Sequence, residues 1–208
     1  MRYPLVIFDF DGTLADSFPF FLQAQAQIAQ RHGFDPIAAD RVDEMRMLGT
    51  REILREVKCP SWKLPLVVAD FIRAMQAAPP VPLFPGVAEA LARLRAGGVR
   101  MAILTSNSVD NVRRVLGAEL ADAIELVDGG AHMLGKHRRL ERLLKRAGTP
   151  AAQAIYIGDQ LADHEAATRA GMAFGAVGWG YAHADALRAA QPEEFFAQVE
   201  ELGRFALV

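Results

Sequence analysis

Two carboxylates two residues apart, in the run Asp9-Phe10-Asp11-Gly12-Thr13-Leu14, are the first residues of this 208-residue chain equipped for chemistry. They close the apolar stretch Leu5-Val6-Ile7-Phe8. Strand side chains alternate, so residues 9 and 11 point one way while Phe10 points into the core. At a separation of about 4 Å and an effective dielectric near 20, two such carboxylates repel by roughly 4 kcal/mol. A divalent cation would relieve the repulsion and hold an anionic substrate beside it. Gly12 frees the backbone to turn its amides toward a ligand. Taken alone, the same residues also fit an ordinary strand-ending turn whose aspartates cap backbone amides.

Three further clusters repeat the pattern of an apolar run that ends in polar residues and opens a helix. Thr105-Ser106-Asn107-Ser108 combines hydroxyls with the free amides of a helix start, which makes a phosphate seat or a plain cap. Gly135-Lys136-His137-Arg138-Arg139 puts cations where they oppose the helix dipole, unless an anion lies near. Lys136 is the residue to reach that anion, and a solvated basic face is the expectation for Arg138 and Arg139. Gly158-Asp159, with Asp163 four residues on, offers two carboxylate oxygens to a hard cation, or an aspartate N-cap.

The elements that must carry these clusters follow from hydrophobic patterning. Continuous apolar runs at Pro4–Phe8, Val99–Leu104, Ala123–Val127, Ala154–Ile157 and Met172–Val177 read as strands buried on both faces of a parallel sheet. Helical patterns at Val87–Ala96, Val109–Leu116, Lys136–Ala147 and Leu161–Ala170 alternate with them, the mark of an α/β, doubly wound, Rossmann-like core. Residues 16–83 break the rhythm. Helical patterns there cover Phe18–Arg31, Ile37–Leu48, Arg51–Val57 and Trp62–Ala78, with Ser17, Thr50 and Ser61 at N-cap positions and Gly33 at a stop. A proline-rich return, Pro79 to Pro85, closes the segment. The division is therefore a core of residues 1–15 and 84–208 and a small all-helical cap of residues 16–83, tethered at the sheet edge where ligands of open α/β sheets bind.

Composition narrows the partners. Half the residues (51%) are hydrophobic and the formal charge is −2, an ordinary globular balance that excludes a disordered chain and a basic nucleic-acid binder. The first apolar run is far short of a bilayer span and meets Asp9 too soon for a secretory signal. The expectation is a cytoplasmic protein without membrane association, a monomer or homodimer. Its single cysteine, Cys59, excludes an intrachain disulfide framework and a cysteine metal cluster.

The order DxDGT, then Thr105, then Lys136, then GDxxxD resembles the haloacid dehalogenase-like superfamily over essentially the whole chain. The helical insertion just after the first motif is similar to the cap of its phosphoglycolate phosphatase and β-phosphoglucomutase branch. The Trp179-Gly180-Tyr181 loop also looks like that subgroup, or like an ordinary strand exit. The resemblance implies Asp9 as the nucleophile toward phosphorus and Asp11 as acid and then base. It implies Thr105, Ser106 and Asn107, with the Phe10, Gly12 and Thr13 turn, around the phosphate, and Lys136 as its counter-charge. It implies Mg²⁺ held by Asp9, the Asp11 backbone carbonyl and Asp159, with Asp163 behind them. Asp11 favours phosphoryl chemistry over C–halogen displacement. The function so implied is Mg²⁺-dependent hydrolysis of a small phosphorylated metabolite. A phosphomutase, a pyrophosphatase and, more remotely, a non-catalytic binding module are the alternatives. The cap carries Arg46, Arg51 and Arg55, the last two one helical turn apart. Arg51, opening a helix after Gly49-Thr50, is the expected contact for a second anionic group on a substrate such as phosphoglycolate.

Overall fold

The computed structural model describes residues 3–130 and 135–205. Six strands form one parallel sheet: β1 (Leu5–Phe8), β2 (Arg100–Leu104), β3 (Leu126–Asp128), β4 (Ala154–Gly158), β5 (Ala173–Val177) and β6 (Glu194–Phe196), in the order β3-β2-β1-β4-β5-β6. β1 pairs with β2 on one side, Phe8 opposite Ile103, and with β4 on the other, Phe8 opposite Ile157. The chain winds outward from β1 to β3, crosses back over β1, and winds outward again from β4. The crevice at that reversal opens beyond the C-terminal ends of β1 and β4.

Alternation along β1 explains why its run is continuously apolar. Val6 and Phe8 enter one buried cluster with Met101, Ile103, Ile155 and Ile157, whereas Leu5 and Ile7 enter the opposite one with Leu104 and Tyr156. Helices α5 (Val87–Ala96) and α6 (Val109–Ala121) supply Leu91, Leu94 and Val112 to the first layer. Helix α7 (Lys136–Ala147) supplies Leu140 and Leu143 to the second, where α8 (Leu161–Arg169) adds Ala166 and Ala167. A short α9 (Ala184–Ala189) joins this layer through Leu187.

Between β1 and α5 lies the helical cap: α1 (Phe18–His32), α2 (Val42–Arg46), α3 (Thr50–Glu56) and α4 (Leu64–Ala77). Its two linkers run side by side. The amide of Asp16 bonds to the Pro82 carbonyl at 2.8 Å, and that of Phe84 to the Leu14 carbonyl at 2.9 Å. The cap has its own small cluster of Ile28, Val57, Cys59 and Val67. Asp70, buried on α4, holds α1 through Arg31 (3.0 Å) and His32 (2.8 Å).

Several local expectations are corrected. The helix expected over Ile37–Leu48 begins only at Val42, after a 3-10 turn at Ala39–Arg41. Pro36 precedes this segment, and the Gln25 side-chain amide clasps both the N–H (2.9 Å) and the carbonyl (3.0 Å) of Ile37, holding it out of the helix. Gly49, not Thr50, is the extended residue before α3, and Glu52 accepts its amide at 2.9 Å. Ser17 has helical backbone angles and caps no amide, its hydroxyl turning to Tyr181 instead. Ser61 opens a 3-10 turn ahead of α4. Gly33 does end α1, in the left-handed conformation (φ 67°). β3 starts at Leu126 because Ala123 and Ile124 still bond back to Leu120 and Ala121. Among the described residues no helix is long and apolar enough to cross a membrane.

Candidate active site

All four sequence clusters meet at the C-terminal edge of the sheet. Asp9 follows β1, its amide completing the ladder to the Ile157 carbonyl at 2.8 Å, and its Oδ1 accepts the Phe10 amide at 2.9 Å. The chain then coils tightly, the Phe10 carbonyl accepting the amides of Leu14 and Ala15, both at 2.9 Å. Gly12 makes that coil possible. Its φ is 79°, and a Cβ there would lie 2.3 Å from Asp159 Oδ2. Asp159 follows β4, and its Oδ1 accepts the Thr13 hydroxyl at 3.0 Å. Its Oδ2 accepts the Tyr181 amide at 2.7 Å. Gly180 packs as closely on the other side, leaving no room for a Cβ against Asp159.

Asp163, in the first turn of α8, receives the Gln160 amide (3.0 Å), the Tyr156 hydroxyl (3.3 Å) and the Lys136 ammonium (2.5 Å). Lys136 also donates to Asp9 Oδ2 at 3.0 Å. Carboxylate oxygens of Asp9, Asp159 and Asp163 therefore lie within 4.8 Å of one another, all buried, and the Lys136 ammonium pairs with two of them, Asp9 and Asp163. The electrostatics follow. Burial, reinforced by the Asp163 charge, lifts Asp9 from an ordinary 3.8 to about 7, against the pull of Lys136 and the Phe10 amide. Burial and the charges of Asp163 and Asp9 hold Asp159 well above its usual range. Burial alone would lower the Lys136 pKa, but Asp163 and Asp9 overcome it and hold the ammonium charged. Three buried carboxylates, two of them sharing one ammonium and all of them oxygen donors, fit a hard divalent ion.

Asp11 lives in different surroundings. It accepts the Asn107 side-chain amide at 3.1 Å, and burial raises its pKa while Asn107 and Ser17 oppose the rise. Asn107 is fixed in turn, because its Oδ1 accepts from Ser108 N–H (2.8 Å) and Asn111 Nδ2 (3.1 Å). Thr105 is buried, and its hydroxyl accepts the Asn107 amide at 2.9 Å. Ser108 is the true cap of α6, accepting from Asn111 N–H.

Arg139 corrects an expectation: it is buried, not part of a solvated basic face, although Arg138 is exposed as anticipated. Its guanidinium pairs with Asp128 at 2.6 Å and donates to the carbonyls of Thr105 (3.0 Å), Asp128 (2.8 Å) and Gly130 (3.1 Å). It thereby ties α7, which carries Lys136, to the ends of β2 and β3. Arg139→Met is expected to destabilise the fold by about 3 kcal/mol, since it takes the partner from the Asp128 carboxylate and from the carbonyls of Thr105 and Gly130. Urea unfolding would check this, a change below about 0.5 kcal/mol contradicting it.

Residues 6–177 match the family model of haloacid dehalogenase-like hydrolases. The chain belongs to that family. The hydrolase is 35% identical over 190 residues to the phosphoglycolate phosphatase of Synechococcus elongatus, covering 90% of each chain. It is 29% identical to that of Rhodobacter capsulatus, covering 82% of each. A haloacid dehalogenase-like family hydrolase from Streptococcus pneumoniae shares its fold at 19% identity, with a TM-score of 0.77 over 98% of both chains. The buried Asp9, Asp159 and Asp163 cluster fits the metal site of this family.

The cap contributes differently from the sequence expectation. Arg51 is exposed and does not line the cavity beneath the cap. Thr50, Ile53, Leu54 and Val57 turn one face of α3 to that cavity, which directs Arg51 and Arg55 outward. The arginine at the seam is Arg46. Its Nε donates to the Tyr181 carbonyl and its Nη2 to the Gly180 carbonyl, both at 3.0 Å, and the guanidinium lies 5.2 Å over the Phe18 ring. The Trp179-Gly180-Tyr181 loop is thus a wall of the site. Trp179 Nε1 donates to the Thr13 carbonyl at 3.1 Å, and the Tyr181 hydroxyl meets that of Ser17 at 3.1 Å. Arg46, Gly180 and Tyr181 were absent from the sequence-derived site. The signal for the last two was their place directly after β5, at the same sheet edge as the other clusters.

Proposed function

We propose that this hydrolase is a Mg²⁺-dependent phosphatase of phosphomonoesters that works through an aspartyl-phosphate on Asp9. The observation that carries the reading is one of two neighbouring acids in unlike environments. Asp9 sits among carboxylates against Lys136, while Asp11 faces Asn107 and the cavity. The names of the relatives, phosphoglycolate phosphatases, support a small phosphate ester as substrate.

Asp9 and Asp159, with the Asp11 backbone carbonyl, would hold the cation. When bound, it would screen the carboxylates and draw charge from the phosphoryl oxygens. Asp163, whose two oxygens are already engaged by Gln160, Tyr156 and Lys136, serves to position Lys136. Thr105, Ser106 and Asn107, beside the Phe10, Gly12 and Thr13 turn, cradle the phosphoryl group, and Lys136 balances its charge. An Asp9 oxygen attacks phosphorus, the bond to the leaving oxygen breaks, and Asp11 gives that oxygen a proton. Asp11, now a carboxylate, takes a proton from the water that attacks phosphorus. Inorganic phosphate leaves and the Asp9 carboxylate is restored.

Purified protein is expected to hydrolyse an aryl phosphate with Mg²⁺ and to lose that activity in chelator; full activity after exhaustive metal removal overturns the reading. Stability gives a second readout. In chelator the folded chain holds protons on Asp9 and Asp159 that the unfolded chain releases, so stability must fall as pH rises, for Asp9 between about 4 and about 7. Mg²⁺ at about a hundred times its Kd should add about 2.7 kcal/mol, or roughly 5–10 °C in Tm. At one fixed Mg²⁺ concentration the gain should be larger at pH 7.5 than at pH 5, and a gain independent of pH would contradict the carboxylate cluster as its source.

A further inference from the structure

We propose that the leaving group this enzyme accepts is the apolar alcohol of an alkyl or aryl phosphate, not a carboxylate-bearing or doubly phosphorylated one. The inference rests on the phosphatase reading above and concerns what the cap selects. Asp11, Ser106 and Asn107 form the floor of a cavity of about 300 Å³ that extends up into the cap. This is the lower end of the range of small-molecule sites. Its walls are Phe18, Phe21, Leu48, Ile53, Phe71 and Ile72, with Met45 and Met75 beyond them. Three ring contacts make one side continuous: Phe18 to Tyr181 at 5.0 Å, Phe21 to Tyr181 at 5.4 Å, and Phe21 stacked on Phe71 at 5.1 Å.

Charge is nearly missing from this lining. Among the described residues that line it, the charged ones are Asp11 and Arg46. Arg46 has committed three of its five N–H donors, to the carbonyls of residues 180 and 181 and, at 3.3 Å, to Asp43. Its face is covered by Phe18. Lys136 lies on the phosphoryl side of Asp9, bound to Asp9 and Asp163. Of the three side-chain amides among the described residues that line it, Gln25 has both ends on Ile37 and Asn107 bonds Asp11, which leaves Gln160. A carboxylate or second phosphate held here would give up water without an unengaged cation to meet it, and a sugar would find few free partners for its hydroxyls. An alkyl or aryl group instead exchanges water for apolar contact along the whole wall. The balance of the reaction is unaltered: the oxygen that departs from phosphorus takes its proton from Asp11 at the floor of the cavity and leaves as the neutral alcohol.

The test is a kcat/KM series on the Mg²⁺-loaded enzyme with n-alkyl phosphates from ethyl to octyl, 2-naphthyl phosphate, phosphoglycolate and pyrophosphate. Each added methylene should raise kcat/KM by up to about fourfold, chiefly through KM, until the cavity is filled. Hexyl and naphthyl phosphate should exceed phosphoglycolate by more than about tenfold. Hexanol should inhibit hydrolysis of a common substrate at concentrations where glycolate does not. Ile53→Arg, which adds a cation to the wall, should narrow the gap from both sides. A flat chain-length series, or phosphoglycolate preferred over hexyl phosphate, overturns the apolar leaving group and leaves the phosphatase standing. No Mg²⁺-dependent hydrolysis of any of these esters overturns the phosphatase reading itself.

Discussion

Asp9→Asn is expected to lower turnover by at least about 10⁴-fold, with no phosphorylated protein trapped on acid quenching, because it removes the atom that would attack phosphorus. The same substitution should raise, not lower, the melting temperature of the metal-free protein. In that state Asp9 is a buried carboxylate facing Asp163, its pKa lifted to about 7, so its charged form is held at a disadvantage. Asparagine keeps the shape and an oxygen for the Phe10 amide, and it removes the repulsion. Loss of the Lys136 contact is offset because Lys136 retains Asp163. Calorimetry in chelator and mass spectrometry of quenched reactions read the two effects separately. Near-native turnover would mean that water attacks phosphorus directly, and Asp9 would then be only a metal ligand.

Asp11→Asn should lower kcat by about 10²- to 10⁴-fold while leaving the Mg²⁺-induced rise in melting temperature in place. Its effect should depend on the leaving group. An alkyl phosphate, whose alcohol leaves poorly as an anion, loses the proton donor and should show the full decrease. A nitrophenyl phosphate needs little protonation, so its first step survives and the second step, which needs Asp11 as a base, becomes slow. The aspartyl-phosphate should then accumulate and appear as a mass increase on the intact chain. Equal losses on both esters with no accumulating species would remove Asp11 from proton transfer and leave it as a partner of Asn107.

The legible part of the molecule was the part written in short-range patterns. Asp9 and Asp159 each end a run whose neighbours fill both faces of the sheet, so continuous hydrophobicity located the strand and its end located the carboxylate. Lys136 was legible because a cation at a helix start needs a nearby anion, and Asp9 and Asp163 provide it. Arg139 was not, since its partners Thr105, Asp128 and Gly130 come from segments that meet only once β2, β3 and α7 are assembled. β6 escaped notice because three residues, Glu194 to Phe196, carry no usable period. α3 is an instructive case. Arg51 and Arg55 do share one helix face, but the apolar positions 53, 54 and 57 already marked the opposite face as the inward one. The cap arginine that matters in the seam, Arg46, closes a five-residue helix whose direction is set by contacts to Gly180 and Tyr181, far away in the chain.

One of the two bonds from Arg46 to that loop and the bond from the loop to the Asp159 carboxylate belong to one peptide unit. The carbonyl of Gly180 and the N–H of Tyr181 are the two ends of a single planar amide, with a guanidinium from the cap on one end and a metal-site carboxylate on the other. The plane resists twisting, so it cannot re-aim one end and leave the other in place. Each bond also polarises the amide in the sense that strengthens its opposite. Cap seating and the charge state of Asp159 are therefore thermodynamically linked. Whatever factor cap closure contributes to cation affinity, cation binding must return to cap closure, by reciprocity and without any relay through the substrate.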